Sequence, residues 1–441
     1  MMQPTSATLC DIESMKATVF LFLSLLATPM QAAEPANLDP ETVGFSSARL
    51  TRVSEFVDRE IIAGRLAGAV TMIARHGQIV HFESAGQYGL EDDRPLGTDA
   101  LFRLFSMTKP ITTVAAMMLY ERGLFQLKDP VHAHIPEFRK LRVYEQGTHP
   151  NYLTSRPERP MRIKDLLMHT SGLTYGFVRR SNVDHGYRKL GLGASHGEYD
   201  LAGFTRALAD LPLEFSPGTA WNYGVSTDVL GYLVEVLSGR PFAEFLQEEI
   251  FAPLGMSDTG FFVPESEGSR LPGCYELQAD GSTRLTDAAP TTPYMVPPKF
   301  TSGGGGLVST TADYFRFSEM LRQGGALGGV RLLSPKTIDL MTINHLPGDR
   351  DLTQYAAGGS FSETPYEGVG FGLGFSINLG GARTSNTGSF GEFAWGGMAS
   401  TAFWIDPAEE LVVIFMTQLI PSGAYNFRAE LRSQIYAALI D

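Results

Sequence analysis

The residue types best suited to covalent chemistry lie in one short segment, Ser106-Met107-Thr108-Lys109. A serine and a lysine three positions apart face the same side of a helix. The strongly apolar stretch 111–119 predicts that helix, so the serine would lie in its first turn, where free backbone N–H groups favour developing negative charge. A lysine enclosed beside the serine can lose its proton and activate the hydroxyl. The segment therefore predicts covalent catalysis through an acyl-serine.

Two other interpretations of the serines remain open. A serine that caps a helix, followed by a solvated lysine, produces the same spacing by chance. In addition, Gly193-Ala194-Ser195-His196-Gly197 matches the G-x-S-x-G pattern of a nucleophile elbow. That elbow requires a strand before it and a helix after it, whereas Ser195 lies in a polar, glycine-rich stretch with no strand pattern before it. We therefore favour Ser106 as the nucleophile.

A tyrosine is the second candidate group. Tyr223 follows the turn Ser216-Pro217-Gly218 and precedes a helical pattern over 226–237, so it lies at a loop-to-helix junction from which a side chain can point into a cleft. A phenol beside an ammonium can lose its proton below its usual pKa of about 10. Tyr223 could then act as general base on the serine, although a packed aromatic side chain is the alternative.

The third candidate segment is Trp395-Gly396-Gly397-Met398, which opens a late strand. Paired glycines there would let a substrate lie close to the backbone. An N–H group of this segment and the N–H of Ser106 could together bind an oxyanion. A β-bulge at the edge of a sheet is the alternative interpretation.

Composition limits the class of protein. The chain has 441 residues, of which 43% are hydrophobic and 19% charged, as in a globular protein. Its net charge of −13 opposes nucleic acid or an anionic membrane as partner and suits uncharged or cationic small molecules. The two cysteines, Cys10 and Cys274, belong to no metal-binding cluster. The sequence predicts no metal and no cofactor.

Residues 1–33 have the order of a signal peptide, although an N-terminal extension that is not cleaved is the alternative. Lys16 precedes the apolar run 17–27, and the small residues Ala32 and Ala33 follow. The run is too short for a lasting membrane anchor. Met15 would be a natural start for such a signal. We expect an exported protein, periplasmic or secreted, without a stable membrane span in its mature chain.

Hydrophobic periodicity predicts an α+β fold. Helical patterns separated by Pro- and Gly-rich loops occupy 126–299, which we expect to form an inserted, mostly helical domain with long loops. Residues 40–125 and 300–441 carry the strand patterns and should share one antiparallel sheet flanked by helices. The glycine run 303–306 is interpreted as a tight turn, and His76-Gly77-Gln78 as a hairpin turn between two strands. Predicted strands are 69–74, 79–82, 371–379, 399–405 and 411–417, and predicted terminal helices are 46–63 and 426–439.

Taken together and in this order, the three candidate segments resemble those of a known superfamily. The chain is similar to the serine β-lactamases and penicillin-binding proteins, in their class C-like branch, and most of all to the β-lactamase-like carboxylesterases of family VIII. The resemblance runs from about residue 40 to 440. The segments that carry it are Phe105-Ser106-Met107-Thr108-Lys109-Pro110, Leu167-Met168-His169-Thr170-Ser171-Gly172-Leu173, Ser216 through Tyr223, and Gly303 through Ser309.

The resemblance implies a β-lactamase/DD-peptidase-like fold and assigns roles. By this resemblance Ser106 is the nucleophile, Lys109 its partner and Tyr223 the general base, and the N–H groups of Ser106 and Met398 form the oxyanion hole. Whether Lys109 or Tyr223 takes the serine proton stays open at this point, because the three groups titrate as a coupled set.

Two departures from the pattern bear on the substrate. Val225 stands where the lactam-processing relatives usually have asparagine, and Trp395 stands where they have lysine or histidine. An indole cannot pair with the carboxylate of a β-lactam but offers a flat apolar wall. We therefore predict a serine carboxylesterase for short-chain esters with, at most, weak β-lactamase activity. Tyr175, Phe177 and Trp395, with Gly396 and Gly397, are the predicted substrate-binding residues.

Other functions on the same site remain open. A β-lactamase, a D-amino-acid peptidase or a transacylase would use the same acyl-serine. A penicillin-binding-type sensor would keep the fold without catalysis, although the presence of all three catalytic residue types opposes it. In the preferred interpretation the partner is a small-molecule ester, with no nucleic acid.

Overall fold

A computed structural model describes residues 37–192, 199–358 and 361–441, all of which fall in one compact unit, Pro35–Asp441. The predicted signal peptide at 1–33 and the alternative elbow motif at Ser195 lie outside the described residues. The division into a sheet domain and an inserted helical domain stays a prediction. In the described ranges, no helix combines the length and the apolar character needed to cross a bilayer.

The described residues form sixteen strands and thirteen α-helices. The strands are β1 Gly68–Arg75, β2 Gln78–Gly86, β3 Phe102–Arg103, β4 Val143–Thr148, β5 Asn151–Ser155, β6 Cys274–Leu277, β7 Thr283–Asp287, β8 Val308–Ser309, β9 Ala326–Leu327, β10 Val330–Arg331, β11 Val369–Phe371, β12 Ser376–Asn378, β13 Phe393–Gly396, β14 Ala402–Asp406, β15 Leu411–Met416 and β16 Leu419–Ile420. The helices are α1 Ser47–Ile62, α2 Thr108–Glu121, α3 Ile163–Leu167, α4 Asn182–Lys189, α5 Leu201–Leu208, α6 Ser226–Ser238, α7 Phe242–Leu246, α8 Ala252–Leu254, α9 Thr311–Arg322, α10 Pro335–Met341, α11 Leu352–Tyr355, α12 Gly381–Thr384 and α13 Phe427–Ala437.

The main sheet joins the two ends of the chain, as predicted. Its seven strands follow the order β11-β12-β13-β14-β15-β1-β2, and every neighbouring pair is antiparallel. N-terminal β1 pairs with C-terminal β15, with Ile73 opposite Val413. The predicted fold class, an antiparallel sheet flanked by helices, is confirmed.

Successive side chains of the central strands belong alternately to two apolar layers, one on each face of the sheet. Ile73 and Val413 belong to the cluster that packs under α1 and α13, whereas Met72 and Ile414 belong to the larger cluster on the other face, with α2 and α9. Successive side chains of a strand point to opposite faces, so both faces of β1 and β15 are buried. This explains why these strands are continuous apolar runs in the sequence.

The turn predicted between β1 and β2 has the expected chemistry. His76 and Gly77 both adopt left-handed backbone, with φ of 54° and 77°. Two consecutive residues of this kind form the hairpin turn whose twist matches that of the flanking strands. The hairpin prediction is confirmed.

Three predictions of local structure are wrong. The range 371–379 is not one strand, because Gly374 at φ 87° lies in a turn between β11 and β12. The middle region contains two hairpins that periodicity missed, β4 with β5 and β6 with β7. Their strands are largely polar and partly exposed, so they lack the apolar alternation on which the prediction depended.

Two helices bring the candidate segments together. α2, which follows Ser106, is buried from Thr108 to Leu119 and packs against α6, which follows Tyr223. A helix that is apolar on all sides is an interior helix. The beginnings of α2 and α6 therefore supply two walls of one site.

Candidate active site

Ser106 lies in a tight turn directly before α2. The turn Phe105–Met107 is a short 3-10 helix, and Phe105 adopts a left-handed φ of 44°. Such backbone is unfavourable for a bulky residue and occurs where surrounding structure holds it in place. Here the flanking Leu104 N–H donates to the carbonyl of Leu307, next to the strand pair of β3 and β8. The Ser106 side chain is thereby presented at the start of the helix.

Lys109 lies beside Ser106, as the spacing predicts. Its Nζ is 3.1 Å from Ser106 Oγ and 2.6 Å from the carbonyl oxygen of Gly304. Burial lowers the pKa of the Lys109 ammonium to about 7. The carboxylates of Asp228 and Glu363 raise this pKa, but their effect is smaller than that of burial. A substantial fraction of this amine is therefore unprotonated near neutral pH and can accept a proton.

The glycine run 303–306 forms a turn, as predicted, and its Gly304 supplies the carbonyl oxygen that Lys109 contacts. Asp228 holds the turn, because its Oδ1 accepts hydrogen bonds from Ser302 Oγ at 2.6 Å and from Gly304 N at 3.0 Å. A side chain at Gly304 would meet Asp228 Oδ2 at 2.7 Å from its Cβ. The close approach of turn and carboxylate therefore requires glycine at this position.

Tyr223 closes the site from the beginning of α6. Its ring lies 4.5 Å from Lys109 Nζ, and its hydroxyl is buried without a partner of ordinary hydrogen-bond geometry among the described residues. Burial raises the pKa of Tyr223 well above its usual value, although the nearby Ser106 and Trp395 side chains lower it. The expectation that the lysine would lower the pKa of this phenol is wrong, because desolvation outweighs every other influence.

His169 supports the tyrosine from behind. Its ring centroid is 4.9 Å from that of Tyr223, and its Nδ1 accepts a hydrogen bond from Gly224 N at 3.4 Å. Burial lowers the pKa of His169 well below its usual value, so the ring is neutral and can accept at that nitrogen. Trp221 stacks on Tyr223 with 6.1 Å between centroids. These contacts fix the phenol in one orientation.

A cavity of about 260 Å³ opens above the serine. It is lined by Ser106, Met398, Tyr175 and Phe177, so four of the predicted site residues share it. Among the described residues, neither the Ser106 nor the Met398 N–H has an acceptor. Two free N–H donors beside a hydroxyl can bind an oxyanion.

The Trp-Gly-Gly segment is placed differently from Tyr175 and Phe177. Trp395 lies with its ring 5.4 Å from that of Tyr223, and it lines a neighbouring cavity of about 610 Å³. A Cβ at Gly396 would lie 2.3 Å from an Arg428 nitrogen, and one at Gly397 would lie 2.4 Å from the Leu104 carbonyl oxygen. The two glycines therefore let other protein groups approach the strand, and neither is among the residues that line the Ser106 cavity.

Sequence reasoning missed two acidic residues of the cavity, Asp228 and Glu363. Asp228 lies in the first turn of α6, where a negative charge favours the helix N-terminus, so its position in the sequence contains a signal. Glu363 lies in the irregular segment between α11 and β11, where no periodicity identifies it. Both side chains are buried, at 3% exposure each.

The chain is similar in sequence to known proteins. Residues 51–437 match the Beta-lactamase family. Esterase EstB of Burkholderia gladioli is 30% identical over 419 residues, which cover 91% of this chain and 99% of EstB. Protein Rv1367c of Mycobacterium tuberculosis is 36% identical over 363 residues, 81% of this chain and 87% of that protein.

Solved structures extend the likeness to the fold. EstCE1, described as a hydrolase with promiscuous acyltransferase activity, superposes with a TM-score of 0.74 at 25% identity, covering 88% of this chain and 98% of its own. The resemblance predicted from the sequence is confirmed. This chain belongs to the Beta-lactamase family, and its relatives include a protein named an esterase.

Proposed function

We propose that this enzyme is a serine carboxylesterase that cleaves short-chain esters through an acyl-enzyme on Ser106. The observation that carries the proposal is the 3.1 Å contact between Ser106 Oγ and the buried Lys109 amine, whose pKa is lowered to about 7. An unprotonated amine within hydrogen-bond reach can take the hydroxyl proton at neutral pH.

In the acylation step, Ser106 Oγ bonds to the ester carbonyl carbon and its proton passes to Lys109. The carbonyl oxygen becomes negative and is held by the N–H groups of Ser106 and Met398. The C–O bond then breaks, and the leaving alkoxide takes the proton of the Tyr223 hydroxyl. Because burial raises the pKa of Tyr223, its hydroxyl carries a proton at neutral pH and can donate it to the more basic alkoxide. The Lys109 ammonium returns a proton to Tyr223, so acylation ends with both groups as they began.

In the deacylation step, water attacks the acyl carbon and gives its proton to Lys109. The same two N–H groups hold the second oxyanion. The bond to Ser106 Oγ breaks, Lys109 protonates the oxygen, and the carboxylic acid leaves. One ester and one water give one acid and one alcohol, and the enzyme is regenerated.

The cavity suits a small, apolar acyl or alcohol group. At about 260 Å³ it lies just below the usual range for ligand sites, roughly 300–1,000 Å³. Aromatic side chains form much of its lining, with Tyr175 stacked on Phe177 at 4.8 Å between centroids. Among the described residues, no cationic side chain lines the cavity to pair with a lactam carboxylate, which supports esters over β-lactams as substrates.

The relatives support ester chemistry and suggest a second activity. One relative is named an esterase and one structural neighbour a hydrolase with promiscuous acyltransferase activity. An alcohol that replaces water in deacylation would receive the acyl group from the same Ser106 ester. Acyl transfer is therefore our second candidate function, and it requires no additional residue.

Parallel assays test the proposal. We expect p-nitrophenyl butyrate to be turned over much faster than nitrocefin, and a fluorophosphonate probe to label Ser106 in peptide mapping. Ser106→Ala should abolish hydrolysis and labelling, while Ser195→Ala should leave both. Faster nitrocefin turnover would replace the esterase with a β-lactamase, and label at Ser195 would replace the nucleophile.

We also propose that the enzyme is exported by the segment 1–33. The order of Lys16, the apolar run 17–27 and the small residues after it supports this. N-terminal sequencing of the protein from a periplasmic fraction tests the proposal. A cytoplasmic protein that retains the segment would contradict it.

A further inference from the structure

The lining of the Ser106 cavity is acidic as well as aromatic. Asp228 and Glu363 line it, and within the described chain its lining includes no arginine, lysine or histidine. The amine of Lys109 lies against Ser106 and loses its charge as the pH rises past its pKa of about 7. Among the described residues, the charged side chains that line the cavity are these two acids. A negative, water-poor site favours a positively charged ligand.

Glu363 has one carboxylate oxygen that none of the described residues satisfies. Its Oε2 lies 3.3 Å from a guanidinium nitrogen of Arg428, whereas its buried Oε1 has no partner among the described residues. Arg428 also donates to the carbonyls of Glu363, Gly397 and Thr401, so its charge is shared among several acceptors. Leaving a buried acceptor unpaired costs free energy. A cationic ligand in the adjoining cavity would stabilise this carboxylate through space, without a hydrogen bond to it.

Glu363 acts electrostatically on the reactive groups. Its carboxylate raises the pKa of Lys109, of Tyr175 and of Tyr223. In each case the effect of burial on the pKa is larger than that of Glu363. A carboxylate that affects three groups around the serine lies within range of a charge on a bound substrate. The site that Glu363 influences is therefore the ester-binding cavity itself.

Aromatic rings surround the same carboxylate. Phe361, two residues before Glu363, lies 5.7 Å from the Phe177 ring and 5.8 Å from the Tyr223 ring, and Tyr175 stacks on Phe177. The ammonium of Lys109 already lies over Tyr223 and Tyr175, at 4.5 and 5.4 Å from the ring centroids. Aromatic faces combined with a carboxylate are the common means of binding organic ammonium groups.

Another glutamate shows that this arrangement is not general for the protein. Glu392 is also buried at 3% exposure and is also paired with an arginine of α13, Arg432. Its carboxylate accepts a second hydrogen bond from Tyr436, and among the described residues none of its oxygens is buried without a partner. Glu392 does not line the Ser106 cavity. It therefore serves as a matched control for Glu363.

We propose that Glu363, together with the rings of Phe361, Tyr175 and Phe177, binds an ammonium group, so that the preferred substrates are carboxylic esters that carry such a group close to the ester bond. The proposal rests on the proposed esterase function and names its substrate class. The net charge of −13 would also concentrate cationic esters around the protein.

Two isosteric esters test the proposal on the full-length enzyme. Butyrylcholine carries a trimethylammonium group, and 3,3-dimethylbutyl butyrate replaces its nitrogen with carbon. We expect kcat/KM for the cationic ester to exceed that for the neutral ester about tenfold or more. Glu363→Gln should reduce this ratio about tenfold, whereas Glu392→Gln should leave the ratio unchanged. Circular dichroism verifies that both variants fold. If Glu363→Gln does not fold, Phe361→Leu replaces it, and we expect this variant to lower the ratio about threefold to tenfold.

Calorimetric titration with tetramethylammonium separates binding from catalysis. The enzyme should bind this ion, and Glu363→Gln should weaken the binding about tenfold. If the neutral ester is cleaved and the ratio of the two kcat/KM values is near one, the ammonium site is overturned and the esterase function stands. The same follows if Glu363→Gln leaves the ratio unchanged. If neither ester is cleaved, the esterase function fails, and the titration then supports or overturns the ammonium site by itself.

Discussion

Two cavities lie on either side of a wall that includes Phe361 and Glu363, and they differ in the groups that line them. The larger, of about 610 Å³, lies between strands β12 to β14 of the main sheet and the beginning of α13. Its lining includes Arg432, which is paired with Glu392, but not Ser106. The smaller, of about 260 Å³, contains Ser106 and two free backbone N–H groups.

The difference between the cavities lies in the reactive groups beside them, because buried polar atoms without a partner among the described residues occur at both. Beside the smaller cavity lie the Ser106 hydroxyl and the Lys109 amine, whose pKa burial lowers to about 7. Groups with a pKa shifted in this way are the ones expected to react with a substrate. Volume by itself would have selected the larger cavity, which Ser106 does not line. The following predictions test whether reactivity is confined to the smaller one.

Removing the nucleophile should have the largest effect. Ser106→Ala should lower kcat for p-nitrophenyl butyrate by about 10⁴-fold or more, because no acyl-enzyme can form. Ser422→Ala, in the lining of the larger cavity, should change kcat less than about twofold. Steady-state rates of the two purified variants decide the comparison. Residual activity of Ser106→Ala near that of the parent enzyme would contradict the assignment.

Removing the amine should have the next largest effect. Lys109→Met keeps the apolar stem but removes the proton acceptor, and kcat should fall about 10³-fold. Lys164→Met is the control, because burial also lowers the pKa of Lys164, although this side chain is only partly buried. Lys164 lies on α3 rather than beside Ser106 on α2. A Lys109→Met enzyme with a single-turnover acylation rate close to the parent would show that another group takes the serine proton.

The pH dependence distinguishes the two candidate bases. Because the pKa of Lys109 is lowered to about 7, the reactive amine gains population as pH rises, and kcat/KM should increase about tenfold per pH unit below pH 7 and level off above it. Burial raises the pKa of Tyr223 well above its usual value, so a phenolate base would make the rate rise beyond pH 10. A rate that still rises steeply at pH 10 would contradict a lysine base. Rates measured from pH 5 to 10 decide between them.

The smallest expected effect tests how the strand is held against the Ser106 turn. A Cβ at Gly397 would lie 2.4 Å from the Leu104 carbonyl oxygen and 2.2 Å from Thr401 Oγ1. Gly397→Ala should therefore destabilise the protein by about 1–3 kcal/mol and weaken the oxyanion site by moving Met398. Gly260→Ala, whose Cβ would find its nearest neighbour at 3.7 Å, is the control. Denaturant unfolding measures both, and equal stability of the two variants would show that the strand adjusts freely.

Much of the fold could be predicted from the sequence because its signals are local. The strands β1 and β15 are continuous apolar runs, and the turn at His76 and Gly77 has its own backbone chemistry. The polar hairpins β4 with β5 and β6 with β7 could not be predicted, since their strands lack apolar alternation. The break at Gly374 was missed because apolar residues continue across it.

The sequence by itself determined that a hydroxyl and an amine share the beginning of one helix, because three residues of helical spacing bring Ser106 and Lys109 together without any distant contact. Only the tertiary structure decided the chemistry of those groups. Desolvation by residues far apart in the chain lowers the pKa of Lys109 and raises that of Tyr223, against the local expectation. The same folding brings Glu363 to the serine, because a carboxylate in an irregular segment is positioned by packing alone and no periodicity of the sequence records it.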